Sequence, residues 1–100
     1  MPTEDEVIEA IKTVFDPEIP VNIYDLGLIY DIRFINQAQI EVDMTLTSPN
    51  CPVAESMPQE VKWKINRLPG ILTTKVNIVF DPPWTKDMMS TEAMLELGLL

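Results

Sequence analysis

Cys51 is the only thiol in the chain, and no histidine accompanies it. A single Cys closes no internal disulfide, which fits a reducing compartment. Without His, the usual three- or four-ligand zinc site cannot be assembled within one chain, and a Cys–His nucleophile pair is excluded. What remains is a thiol in the turn Thr47-Ser48-Pro49-Asn50-Cys51-Pro52, an acidic pair in Asp16-Pro17-Glu18, and the run Asp81-Pro82-Pro83-Trp84. An ordinary thiol, with a pKa of about 8.5, is mostly protonated at neutral pH. A helix N-terminus next to Pro52 would favour the thiolate, whereas Asp16 and Glu18, if close, would oppose it. Such a thiol can serve as a soft metal ligand or as a nucleophile without its usual base.

Each of these residues also has a plainer role open to it. Cys51 can be a buried packing residue. Thr47 continues the polar face of a strand. Asp16-Pro17-Glu18 can simply end a helix and make a turn. Trp84 can cover the edge of the core. Met88-Met89 beside it can be core, or a soft patch for a partner.

The elements that must position these residues follow from spacing. Thr3 and Glu6 have capping-box spacing, and Val7, Ile8, Ile11, Val14 and Phe15 then share one helical face up to Asp16-Pro17. Asp16 to Asp25 reads as a stiff loop, and Gly27 marks a turn or bulge. Leu28, Tyr30, Ile32 and Phe34 alternate with Ile29, Asp31, Arg33 and Ile35, and Ile40, Val42, Met44 and Leu46 alternate with polar residues. The short link Asn36-Gln37-Ala38 makes these two strands an antiparallel hairpin. Asp31, Arg33, Glu41 and Asp43 read as its solvated face. Val53, Met57, Val61, Ile65 and Leu68 predict a second helix, begun by Pro52 and kinked at Pro58, or capped by Ser56 with Gln59. A third strand over about 72–80 turns Val76, Ile78 and Phe80 inward, and Ser90 caps a last helix closed by Gly98.

The expected fold is therefore a single α+β domain over 1–100, a two-layer αββαβα arrangement. Its three-stranded mixed sheet has helices on one face and strand order one-two-three. A right-handed crossover makes strand three parallel to strand two. The start of strand one and the ends of strands two and three then share one rim. Asp16, Glu18, Thr47, Ser48, Cys51 and Trp84 are expected there, on loops held by the sheet.

Composition narrows the partners. The chain has 100 residues, and its net charge of −9 opposes nucleic acid and anionic membrane as partners. No apolar run approaches the ~20 residues of a spanning helix. The acidic start Met1-Pro2-Thr3-Glu4-Asp5-Glu6 lacks signal-peptide character, so a cytoplasmic protein is expected.

Four motifs in order, Asp16-Pro17-Glu18-Ile19-Pro20, Tyr24-Asp25-Leu26-Gly27-Leu28-Ile29-Tyr30, Thr47-Ser48-Pro49-Asn50-Cys51-Pro52 and Asp81-Pro82-Pro83-Trp84, resemble the small iron–sulfur cluster assembly family that includes bacterial SufT. Ser90, Glu96, Leu97 and Gly98 fit its C-terminal pattern. The resemblance implies a fold similar to the NifU-type scaffold domains and a non-enzymatic maturation factor that helps clusters reach recipient proteins. Its functional residues would be Asp16, Glu18, Thr47 and Cys51, with Ser48 where many relatives have Thr. Implied partners are the iron–sulfur assembly machinery and recipient apo-proteins, with a homodimer as one arrangement.

NifU-type scaffolds use Cys-x-x-Cys, whereas this chain has Ser48-x-x-Cys51, and a four-iron, four-sulfur cluster normally takes four thiolates. No stably bound cofactor is expected, only a transient or shared iron–sulfur cluster with Cys51 as the metal ligand. The competing readings are a thiol enzyme using Cys51 and an interaction adaptor that docks partners through Trp84 and the proline-rich rim.

Overall fold

The computed structural model describes residues 2–16, 19–47 and 56–99. Helix α1 spans Glu4–Ile11, β1 Ile29–Asn36, β2 Gln39–Met44, α2 Ser56–Asn66, β3 Thr73–Ile78 and α3 Thr91–Glu96, with a 3-10 turn at Lys86–Met88. The sheet order is β1-β2-β3, with β1 antiparallel and β3 parallel to β2. This is the expected two-layer α+β domain. No helix among the described residues is long and apolar enough to cross a membrane.

The Thr3 hydroxyl accepts from the Glu6 amide while the Glu6 carboxylate accepts from the Thr3 amide, so the reciprocal cap starts α1. The helix stops earlier than its apolar spacing suggests, with Lys12 as its C-cap. Val14 is still buried, but Phe15 is exposed and forms an isolated bridge with Asn22. The chain has left helical geometry there, so the helical face expected to include Phe15 does not reach it.

Strand β2 keeps strict alternation. Ile40, Val42 and Met44 are completely buried, each stabilised by roughly 1.5–3 kcal/mol relative to exposure. The hairpin turn needs no glycine, because the Asn36 side-chain oxygen accepts from the Ala38 amide at 2.8 Å. Strand β1 departs from simple alternation. Its register advances two residues against one of β2 between Ile29 and Asp31, and again between Phe34 and Asn36. Each bulge shifts the side-chain phase. Ile29 rather than Tyr30 therefore sits opposite the buried Met44, and the expected face Leu28, Tyr30, Ile32, Phe34 is broken at its start.

In α2, Met57, Val61 and Ile65 are buried and Leu68 packs against the core, as their spacing predicts. Ser56 is already helical and Pro58 lies within α2, so Ser56 is not the cap. Pro52 and Val53 lie outside the described residues. In β3, Thr74, Val76 and Ile78 turn inward, but the strand ends at Ile78 and Phe80 is 49% exposed, which corrects its inward placement. The Ser90 hydroxyl caps α3 by accepting from the Ala93 amide, and Gly98 ends it at φ +73°.

The sheet's outer face holds an ion-pair network. The Arg33 guanidinium donates to both Asp43 carboxylate oxygens at 2.8 and 2.9 Å and to Asp31 at 2.8 Å. Asn77 donates to Glu41 at 2.6 Å and to Asp43 at 3.0 Å. Hydrogen bonds from Arg33 and then Asn77 hold the Asp43 carboxyl down at a pKa of about 2. Glu41 is lowered too, chiefly by the Asn77 bond.

Candidate functional site at the strand-end rim

The register aligns Ile29 with Met44 and Met44 with Ile78, so the start of β1 and the ends of β2 and β3 form one rim. Beyond β2 the chain runs through buried Thr45 and Leu46 to half-buried Thr47. Beyond β3 it runs through Phe80 to Trp84. Thr47 and Trp84 line the same cavity of about 90 Å³, with Thr45, Leu46, Phe80 and Pro83. Two of the expected rim residues are thus brought together from opposite halves of the sequence.

Backbone bonds tie the segment between α1 and β1, which includes Asp16, to the residue that follows β2. The Ile23 amide donates to Val14 O at 2.9 Å, the Leu28 amide to Ile23 O at 3.1 Å, and the Thr45 amide to Leu28 O at 2.8 Å. Asp16 itself is only 4% exposed, and its carboxylate accepts from the Ile19 amide at 3.0 Å. This aspartate closes a turn, the local role open to Asp16-Pro17-Glu18 from sequence. Glu18, Ser48 and Cys51 lie outside the described residues.

The segment after β3 is pinned to the loop before β1. Asn22 and Asp25 lock one another, with Asn22 Nδ2 donating to Asp25 Oδ2 at 2.8 Å and the Asp25 amide to Asn22 Oδ1 at 2.9 Å. The following turn closes with Gly27 N–H to Tyr24 O and Leu28 N–H to Ile23 O, the paired bonds of a Schellman ending. Gly27 takes φ +85°, and a Cβ there would run into the Met88 carbonyl. Glycine is needed at this position for both conformation and space.

The carbonyls of this turn hold the C-terminal segment. Trp84 Nε1 donates to Leu26 O at 2.6 Å, and the Ser90 amide donates to Asp25 O at 2.8 Å. Trp84 is half-buried with its N–H engaged, so it acts as packing at the core edge. Met89 is buried in the core, which removes it from any soft partner patch; Met88 is half-buried and lies 3.6 Å from the Tyr30 hydroxyl.

Tyr30 and Phe80 are the rim residues that sequence reasoning misplaced. Alternation groups Tyr30 with Leu28, Ile32 and Phe34 and turns Phe80 inward, yet the Tyr30 hydroxyl donates to Pro82 O at 2.7 Å and Phe80 lines the cavity. The bulge re-aims the first, and the early end of β3 frees the second. Nothing in the alternation of either segment signals these changes.

A family model described as iron–sulfur cluster assembly protein matches residues 4–78. The chain belongs to that family. It is 49% identical over 98 residues to an Fe–S protein maturation auxiliary factor of Porphyromonas gingivalis, covering 98% of this chain and 93% of that one. It is 45% identical over 86 residues to the Fe–S protein maturation auxiliary factor SufT of Staphylococcus aureus, covering 86% and 98%. The crystal structure of a domain of unknown function from Bacillus anthracis superposes with a TM-score of 0.90 at 35% identity, covering 97% of this chain and 92% of that one. Among the described residues, no three His, Cys, Asp or Glu side chains are grouped so as to hold a metal ion.

Proposed function

We propose that this protein is a non-enzymatic iron–sulfur maturation factor that carries iron or a cluster transiently on Cys51 and passes it to recipient apo-proteins. The observation that supports this reading is the rim, where the strand ends mount Thr47 and Trp84 on a common cavity. Cys51 follows Thr47 by four residues, which limits the separation to about 14 Å even in a fully extended chain. Family membership and relatives named as maturation auxiliary factors support the same reading.

With one thiolate per chain, this protein cannot complete the four-thiolate set of a four-iron, four-sulfur cluster. The remaining ligands come from a second copy, from the recipient, or from Glu18, because the Asp16 carboxylate is buried in its turn. Incomplete ligation suits a carrier, because the cargo must leave. Thr47 and Ser48 shape the loop that presents the thiol. The adaptor reading, in which Trp84 is the docking residue, is weakened because its N–H is already engaged by Leu26 O.

The test is complementation with Cys51→Ser in cells lacking the native protein. Activity of cluster-dependent enzymes is expected to fall to the level of the deletion. Full activity with the serine variant refutes the ligand role. Anaerobic reconstitution with iron and sulfide, followed by visible absorption and solution mass, tests whether two copies share the cargo.

A further inference from the structure

Away from the rim, a groove of about 530 Å³ runs between α2 and the outer edge of β3. Its walls include Lys62, Trp63 and Asn66 from the helix and Thr74 and Lys75 from the strand. The Thr74 hydroxyl donates to Asn66 Oδ1 at 2.6 Å, tying the helix end to the strand and setting the width of the groove.

Three observations make this groove unlike the rest of the surface. The first is the edge itself. Sheet order leaves one side of β3 without a neighbouring strand among the described residues, and β3 matches β2 over six consecutive pairs with no bulge. The opposite edge, β1, carries two bulges, a common device against edge pairing. The second is Trp63, 55% exposed beside the edge, with Arg67 4.7 Å and Lys64 5.4 Å from its ring. The third is charge. Residues 56–78 hold four of the seven cations, Lys62, Lys64, Arg67 and Lys75, against Glu60 within the segment, with Glu41 of β2 beside Lys75, in a chain of net charge −9.

We propose that the α2–β3 groove is a docking site for an extended, acidic segment of a partner protein, which adds to β3 as a fourth strand. Backbone groups of a peptide complement the open edge, carboxylates on its outer face meet Lys75, and apolar side chains on its helix-facing side rest on Trp63, while Lys62 adds attraction at longer range. The acidic remainder of the surface repels such a segment and so directs it to this tract. A nucleic acid offers the negative charge without the strand-pairing groups. A second copy carries the same cationic tract, so pairing two β3 edges would set that tract against itself, which like-charge repulsion disfavours. This surface lies on the sheet edge rather than at the strand ends, so it stands independently of the role given to Cys51.

The test uses the full chain, isotopically labelled, titrated with a blocked octapeptide of alternating glutamate and valine. The matched lysine–valine peptide is the control. Amide shifts and slowed hydrogen exchange are expected along Thr73–Ile78, with a dissociation constant tighter than about 1 mM that weakens with salt. Lys62→Gln combined with Lys75→Gln is expected to weaken binding about fivefold or more while leaving the circular dichroism spectrum unchanged. Trp63→Ala, at an exposed position, is expected to weaken it as well. The proposal is overturned by any of three results: no binding, equal binding of the lysine peptide, or perturbation confined to other surfaces. Protection of β3 that grows with protein concentration in the absence of peptide also overturns it, in favour of self-pairing.

Discussion

Replacing Gly27 with alanine probes how the segment after β3 is fastened to the loop before β1. Two costs combine at this position. An L-residue at φ +85° loses roughly 1–2 kcal/mol relative to glycine. The added Cβ also meets the Met88 backbone and Cβ, with the Met88 carbonyl carbon 2.8 Å away, so this segment must move. Movement there loosens the Ser90–Asp25 and Trp84–Leu26 hydrogen bonds, each contributing about 1 kcal/mol. The expected loss is about 3–4 kcal/mol, a large share of the roughly 5–15 kcal/mol of a typical domain.

Gly98→Ala is the internal control. Its φ of +73° imposes a similar backbone cost, but nothing lies within 4 Å of the added Cβ. Only about 1–2 kcal/mol should be lost there. Urea unfolding of both variants in a Trp63→Phe background, followed by Trp84 emission, measures the difference directly. Equal destabilisation by the two substitutions would show that the close approach of Met88 contributes nothing, and the account of the rim's fastening would be wrong.

Trp84→Phe keeps a ring at the cavity but removes the 2.6 Å bond to Leu26 O, leaving a buried carbonyl without this donor. A loss of about 1–3 kcal/mol is expected in urea unfolding, and a change within error would deny the bond any role in stability. Acid titration probes the outer face. Because the Asp43 pKa is lowered from 3.8 to about 2 in the folded state, the unfolded chain takes up its proton first as pH falls. The resulting stabilisation is complete above about pH 4 and is lost as pH falls towards 2. Asp43→Asn should flatten the thermal midpoint across that window, and superimposable acid profiles for the two proteins would refute the assignment.

Local pattern was enough where the deciding interactions lie close in sequence. The Thr3–Glu6 cap, the alternation of Ile40, Val42 and Met44, the Ser90 cap and the helical recurrence of Met57, Val61 and Ile65 were all legible. Order and connection length then led to the sheet topology, because a hairpin and a right-handed crossover leave few alternatives. The meeting of Thr47 and Trp84 at one cavity follows from that topology.

Features that depend on contacts between distant segments were decided only by the tertiary structure. The bulge that breaks the phase of β1 sends Tyr30 to the Pro82 carbonyl across 52 residues, and the early end of β3 leaves Phe80 half exposed at the cavity. Gly27 announces a turn in sequence, but the need for bare space beneath Met88 appears only when the two segments are docked. Sequence supplied the residue types and the order of the elements, whose stabilising interactions reach a few positions along the chain. Register shifts, the aim of single side chains and the cationic groove beside β3 depend on which surfaces meet after folding, and no local spacing encodes that.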